Sequence, residues 1–144
     1  MNTYIKRKYK YHTPKTPEEA FDESVEYYKN ARDILKKIPV EYGIYKNPKL
    51  VKEACAMGYL ATLKAIDGYI LGRKEPAKLP TSIIEYYKAV DKIPRNGKLM
   101  TALELVYQHL HIFGYYRGGI SVEMIKEGFE NAKTIIKTLS GRHL

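Results

Sequence analysis

The sequence predicts an all-α fold, an antiparallel bundle of four to five helices. Helix-capping residues open successive segments, aliphatic side chains recur at steps of three and four residues, and no segment alternates apolar and polar residues as a strand does. The 144 residues, 44% of them hydrophobic, suffice for one globular core. We predict a basic, tyrosine-containing N-terminal tail over residues 1–15 and a single helical-bundle domain over residues 16–140.

The first predicted helix has a well-marked start. Thr16 is placed to cap it, Pro17 suits its first turn, and Glu19 completes a capping box. Apolar and small side chains then recur at helical spacing as far as Leu35. Pro39 ends the helix because proline cannot continue the backbone hydrogen bonds. We expect the residues that follow to form a loop.

The second predicted helix begins after Asn47 as cap, with Pro48 in its first turn, and runs to about Leu71, where Gly72 stops it. Its last two thirds are apolar or small almost all round, which is typical of a helix buried on most sides. The exceptions, Lys64 and Asp67, are three residues apart and are expected to pair with each other.

Small residues form a stripe along this second helix, and small residues let another backbone approach closely. The favoured interpretation is tight packing inside the bundle, because that is the commoner use of such spacing. The alternative is the seam of a homodimer. The candidate interface residues are Ala54, Gly58, Ala61, Ala65 and Gly68.

Three further helices complete the bundle. The third is capped by Thr81 or Ser82 and reaches about Lys92. After a turn over residues 94–97, the fourth runs from about residue 98 to 113, and the fifth is capped by Ser121 and ends before Gly141. The clearest core signal is the alternating four-three row of the fourth helix, Leu99, Leu103, Val106, Leu110 and Phe113.

The net charge of +9 comes from 25 basic and 16 acidic residues and is concentrated in the tail. Interleaved tyrosines and lysines can contact the bases and phosphates of a nucleic acid, so a nucleic-acid partner is one interpretation. A solubilising extension is the other. The tail cations are Lys6, Arg7, Lys8, Lys10 and Lys15.

Cys55 is the only cysteine, which excludes an internal disulfide and a cysteine-based zinc site. We predict a cytoplasmic protein, because a chain without disulfides suits a reducing compartment. No apolar run of membrane-spanning length and no secretory signal are expected. No motif points to a cofactor or a metal.

The most distinctive segment is the glycine-bracketed loop before the fifth helix. The glycines permit unusual backbone angles, and the following helix start offers free amides. Arg117, Gly118, Gly119 and Ser121 are therefore candidates for binding an anion such as phosphate or carboxylate. A tight turn with a solvated arginine is the alternative. The lysine and hydroxyl of a P-loop are missing.

His109 and His111 are the other candidate ligand-binding residues. On an α-helix two residues apart their side chains diverge by about 200°, so one helix cannot aim both at one metal ion. We expect His109 at the edge of the core as a hydrogen-bonded histidine, and His111 further toward solvent. Glu104 and Tyr107 share the face of His111, which suggests acid–base chemistry or, more simply, an exposed polar face.

Three stretches carry a family resemblance: TPEEAFDESVEYYKNARDIL, KEACAMGYLATLKAIDGYIL and YQHLHIFGYYRGGISVEMIKEGFENAKTII. Together they resemble a family of uncharacterised bacterial proteins similar to HEPN-type helical bundles, over about Thr16 to Leu139. The resemblance implies a helical, often dimeric domain. It also implies either a ribonuclease of toxin–antitoxin or defence systems or a non-catalytic module.

The catalytic members of that family carry an arginine followed, after four to six residues, by a histidine. Residues 102–106, where the arginine for His109 or His111 would stand, contain none. Arg7 and His12 match the spacing, but they precede the first helix. We therefore assign no catalytic residue.

Two functions follow. We favour a non-enzymatic module that self-associates as a dimer or binds a protein partner. The alternative is an RNA-acting or nucleotide-binding protein that uses Arg117, the two histidines and the basic tail.

Overall fold

The computed structural model describes residues 12–75 and 78–144. The predicted all-α architecture is confirmed, with a small two-stranded sheet added to it. The tail residues Lys6, Arg7, Lys8 and Lys10 lie outside the described residues. The elements are α1 (Pro17–Lys36), β1 (Val40–Glu41), β2 (Ile44–Tyr45), α2 (Pro48–Leu71), α3 (Ile83–Asp91), α4 (Gly97–Val106), a π-helix (Tyr107–Tyr116) and α5 (Val122–Ser140).

The predicted helix starts are confirmed. At the start of α1, α2, α3 and α5, a side-chain oxygen of the cap residue accepts a hydrogen bond from the amide three residues later, which satisfies one of the free donors of the first turn. Asn96 at the start of α4 makes no such bond. Gly72 is the C-cap of α2, as predicted. The N-caps are Thr16, Asn47, Ser82 and Ser121.

A short hairpin replaces the loop predicted after Pro39. Val40 pairs with Tyr45 and Glu41 with Ile44 in antiparallel register. The two turn residues between them, Tyr42 and Gly43, have φ of 52° and 74°, the left-handed conformation that a tight two-residue hairpin turn requires. Strands of two residues are too short to show a period-two pattern, which is why the sequence did not reveal them.

The predicted fourth helix is wrong in its second half. After Val106 the α-helix continues without a break as a π-helix to Tyr116, and the Arg117 amide donates to the Ile112 carbonyl five residues back at 2.8 Å. The row predicted for this helix still faces the core: its first four members are buried, and Phe113 is half-buried.

Helix α2 is the centre of the bundle and packs against α1, α3, α5 and the π-helix. Its small-residue stripe is buried inside this one chain. A Cβ on Gly58 would meet the Phe129 ring of α5, and one on Gly68 would meet the Phe21 ring of α1. The packing interpretation is therefore the one that the structure supports, and the stripe Ala54, Gly58, Ala61, Ala65 and Gly68 does not offer the dimer seam considered as its alternative.

The expected pairing of Lys64 with Asp67 is wrong. Lys64 lies 3.6 Å from a Glu23 carboxylate oxygen of α1. Asp67 is buried and accepts a 2.8 Å hydrogen bond from the hydroxyl of Tyr86 on α3. The two side chains bind different partners because Lys64 faces α1 and Asp67 faces α3. Among the described helices, none is both long and apolar enough to span a bilayer.

Candidate functional site

Four tyrosines and one histidine form a connected row at the surface, here called the aromatic strip: Tyr59, Tyr87, Tyr107, His111 and Tyr115. His111 is its centre, with ring centroids 4.5 Å from Tyr59, 5.4 Å from Tyr107 and 5.9 Å from Tyr115 in stacked arrangements. Tyr87 of α3 meets Tyr107 edge-on at 6.4 Å. The strip thus links α2, α3 and the π-helix.

Three of these rings line up because they follow one another along the π-helix. Tyr107, His111 and Tyr115 are spaced by four residues, so their side chains are neighbours on one side of the helix. His111 is half-buried between rings, as His109 is half-buried at the edge of the core. The expectation that His111 faces further toward solvent than His109 stays a prediction.

Large apolar side chains remain exposed beside the strip. Leu60 follows Tyr59 on α2 and is 40% exposed, while Ile84 precedes Tyr87 by one turn of α3 and is 63% exposed. Tyr115 is 45% exposed at the other end. The strip and these neighbouring side chains are mainly aromatic and aliphatic, and such residues are enriched in the centre of protein interfaces.

Two phenols of the strip, those of Tyr59 and Tyr87, are poor acids. Burial, with the neighbouring Tyr107, raises the pKa of Tyr59 to about 12. Burial also raises the pKa of Tyr87, which donates a 2.7 Å hydrogen bond to Glu104. Glu104, Tyr107 and His111 do share a face, as predicted. The Glu104 carboxylate accepts the hydrogen bond from Tyr87, and the His111 ring is stacked on tyrosines.

The two glycines of the loop have different surroundings: Gly118 lies beside cations, and Gly119 lies against an aromatic ring. Gly118 has φ of 70°, and Lys52 of α2 lies beside it, so this position carries a second cation near Arg117. The Arg117 guanidinium lies 4.8 Å from the centroid of the exposed Tyr116 ring. Gly119 is held under the Phe113 ring, where a Cβ would clash.

The start of α5 offers less to an anion than the sequence suggested. The Val122 amide donates to the Gly43 carbonyl at 3.0 Å, and the Met124 amide donates to the Ser121 hydroxyl at 3.3 Å. The hairpin and the cap therefore occupy two of the first amides. Arg117 and Lys52 are the two cations that an anion at this loop would meet.

His109 lies apart from the loop, between the π-helix and α5. It is at the edge of the core, as predicted, with 14% of its side chain exposed. Its Nδ1 is 3.7 Å from a Glu127 carboxylate oxygen, too long for a hydrogen bond, and has no other partner among the described residues. The expected hydrogen bond is therefore not made. The structure does not bring His109, His111 and Arg117 together into one site.

One cluster that the sequence did not suggest involves His12, Glu19 and Glu23, whose possible ligand atoms lie within 4.8 Å of one another. These groups already have protein partners. His12 contacts Glu23 at 2.8 Å, Glu19 accepts from the Lys15 amide, and Lys64 pairs with Glu23. We interpret the cluster as a set of contacts that attach residues 12–15 to α1. The spacing match of Arg7 with His12 is not tested, because Arg7 lies outside the described residues.

Sequence reasoning missed the strip as a unit. Tyr59 carries no signal of its own in the sequence. The repeat of Tyr107, His111 and Tyr115 every four positions is the pattern that could have indicated the stack of rings, since residues four apart are neighbours on a helix.

The fold and surface define the class of this molecule: a five-helix bundle with a hairpin clamped against the loop before its last helix. The chain belongs to the family described as domain of unknown function (DUF5618), which matches residues 19–141. It is also similar to a solved protein of unknown function from Dyadobacter fermentans, with 30% identity, a TM-score of 0.74, and coverage of 89% of this chain and 99% of that chain. No curated protein matches the sequence.

Proposed function

We propose that this chain is a non-catalytic helical module that self-associates through the aromatic strip. The observation that carries the proposal is the continuous row of rings, with the exposed side chains of Leu60 and Ile84 near it, on a surface that residues 12–75 and 78–144 leave partly exposed. Tyrosine-rich, partly buried surfaces with few charges are typical of protein interfaces.

Charge limits where a second copy can bind. Two molecules of net charge +9 repel each other over most of their surfaces. The strip itself carries no lysine or arginine, although Lys64 and Lys88 lie one turn from Leu60 and Ile84, and the Glu104 beside it is already bonded to Tyr87. The rings themselves therefore set no lysine or arginine against its own copy. A two-fold dimer would use the same strip on both copies.

The non-catalytic part of the proposal rests on how the reactive side chains are used. His111 is stacked among tyrosines, and Ser121 caps α5. Burial raises the pKa of Cys55 to about 12, so its thiol is a poor nucleophile. The resemblance to HEPN-type bundles, with their frequent dimers and non-catalytic members, supports the same proposal. A cytoplasmic location stays a prediction.

Sedimentation equilibrium tests the self-association. We expect the wild-type protein to form a dimer, and the variant Leu60→Lys/Ile84→Lys to be a monomer. The matched control is Val40→Lys/Tyr42→Lys, which replaces two exposed apolar residues of the hairpin and adds the same charge. A dimer in the control and a monomer in the strip variant support the proposal. A wild-type monomer at high concentration, or equal dimerisation of both variants, overturns it.

A second candidate function is RNA contact at the glycine-bracketed loop. The observation that favours it is the placement of Lys52 beside Gly118, which adds a cation near Arg117. Salt-dependent binding of single-stranded RNA, compared between wild type and Lys52→Ala/Arg117→Ala, tests it. Unchanged binding by the variant would remove these residues from the hypothesis, and cleavage of mixed RNA would contradict the non-catalytic proposal.

A further inference from the structure

A groove between α1 and α5 holds five cations, here called the basic groove: Lys29, Arg32, Lys36, Lys126 and Lys133. It consists of two adjoining cavities of about 210 and 300 Å³. The first contains Lys29 and Lys133, the second contains Lys126, and both share Arg32 and Lys36. None of these residues belongs to the aromatic strip or to the glycine-bracketed loop.

The two helices bring these cations together by their spacing. Lys29, Arg32 and Lys36 follow one another at steps of three and four and so share one face of α1. Lys126 and Lys133 are two turns apart on α5. Each row is about 10 Å long at the rise of an α-helix. Lys126 lies beside Lys36 and Lys133 beside Lys29, since the helices are antiparallel.

The cations of the groove are not neutralised. None of them lies within 4.0 Å of a carboxylate in residues 12–75 and 78–144. Other cations of the protein do pair, as Arg142 does with Asp22 and Lys64 with Glu23. Asp33 lines the first cavity, and Glu130 is close enough to Tyr28 to raise its pKa. Five positive charges against two acids leave a strong positive potential in a partly enclosed space.

Arg32 lies at the centre of the groove and is half-buried. Burial raises the pKa of both Tyr28 and Tyr45, and the charge of Arg32 opposes the rise in each. Because these two tyrosines line different cavities, the guanidinium lies near the junction of the two. A ligand that spans both cavities would pass this group.

We propose that the basic groove binds an oligophosphate, a chain of linked phosphates. Five cations in about 10 Å call for a ligand that places several negative charges within the same length. An extended acidic peptide places side chains on one face only about every 7 Å, so it would offer two carboxylates to the groove. Linked phosphates carry closely spaced charges, and each can accept charge-assisted hydrogen bonds from lysine and arginine.

Isothermal titration calorimetry with inorganic tripolyphosphate tests the proposal. The groove variant is Arg32→Gln/Lys36→Gln, and the charge-matched control is Lys49→Gln/Lys98→Gln, on exposed first turns of α2 and α4. We expect the groove variant to weaken binding at least tenfold, because each cavity loses two cations, and the control to stay within about twofold. A second groove variant, Lys29→Gln/Lys133→Gln, replaces it if the first does not fold. The monomeric strip variant should bind as the wild type does.

Titrations with other anions distinguish an oligophosphate from a nucleotide, a single phosphate and an acidic peptide as the ligand of the groove. Adenosine triphosphate that binds at least as tightly as tripolyphosphate, with the same loss in the groove variant, supports the proposal with a nucleotide as the source. The proposal is overturned if tripolyphosphate binds no tighter than orthophosphate. It is equally overturned if both variants lose the same affinity, or if a ten-residue glutamate peptide competes with equal affinity.

Discussion

Two faces of helix α2, one of small residues and one of large apolar residues, have opposite roles in the structure. The face of small residues is buried under α1 and α5 of the same chain, where Gly58 lies against Phe129. The face that carries Tyr59 and Leu60 meets the π-helix along one edge and is otherwise open. Small residues mark where the chain packs its own backbones closely, whereas uncovered large apolar side chains mark where another molecule can pack.

The sharpest way to break this comparison is Gly58→Val on the buried face. A Cβ at Gly58 would lie 2.8 Å from the buried Phe129 ring and 3.1 Å from Leu110. Neither can move aside in a packed core, so we expect the free energy of unfolding to fall by about 3 kcal/mol. Urea denaturation measures it.

The control for Gly58→Val is Gly97→Ala at the start of α4, where a Cβ meets nothing within 4 Å. We expect Gly97→Ala to be neutral or slightly stabilising. An equally mild effect of Gly58→Val would show that α2, α5 and the π-helix are not packed as described, and the distinction between the two faces would be lost.

Asp67 lies on a third side of α2, which faces α3, and it makes the stability of the protein depend on pH. Burial raises its pKa from 3.8 to about 6, although the Tyr86 hydrogen bond and Lys64 oppose the rise. Between these pH values the native state binds more protons than the unfolded state, so the contribution of Asp67 to stability falls as pH rises and levels off above about 6.

Asp67→Asn removes this ionisation and leaves a carbonyl oxygen to accept from Tyr86. We expect the variant to match the wild type near pH 4 and to be about 2 kcal/mol more stable at pH 7. Denaturant unfolding at several pH values measures the difference, with the exposed Asp91→Asn as control. A difference that stays constant across this range would mean that Asp67 does not titrate as its burial implies.

A smaller effect is expected at the centre of the aromatic strip. His111→Leu keeps most of the volume and loses the stacked contacts with Tyr59, Tyr107 and Tyr115. We expect a loss of about 1 kcal/mol in thermal or urea unfolding. Tyr116→Leu, at a ring that is 63% exposed, is the comparison and should change stability by less than about 0.5 kcal/mol. Equal losses would contradict the stack.

The smallest effect on the fold is expected on the open face. Leu60 is 40% exposed, so Leu60→Lys should change the unfolding free energy of the monomer by less than about 0.5 kcal/mol. Circular dichroism during thermal unfolding at low protein concentration measures it. A large loss would show that Leu60 is part of the core, and the two faces of α2 would then not differ.

The helices were predictable because their signals are local. Thr16, Asn47 and Ser82 cap helices through side-chain bonds that need only the next three residues. Gly72 ends α2 for an equally local reason. The rows of apolar residues identified the buried faces, since helical periodicity is a property of each segment by itself.

What could not be predicted depends on contacts between distant segments. The partner of Asp67 is Tyr86 on α3, and the residue that packs on Gly58 is Phe129 on α5; both contacts join segments that are distant in the sequence. The π-helix forms where Gly114 packs so closely against Cys55 that no Cβ would fit. The basic groove likewise needs α1 and α5 side by side, although the spacing of its cations on each helix is visible in the sequence.

The hairpin clamped to the start of α5 bears on how the chain folds. Gly43 accepts a hydrogen bond from Val122, and the Tyr45 amide donates to Ile120, so residues far apart in the sequence are joined. Such pairing has high contact order and carries a large loop-closure cost, whereas each helix can nucleate from neighbours. We expect the clamp to close after the folding transition state, so that disrupting it speeds unfolding far more than it slows folding.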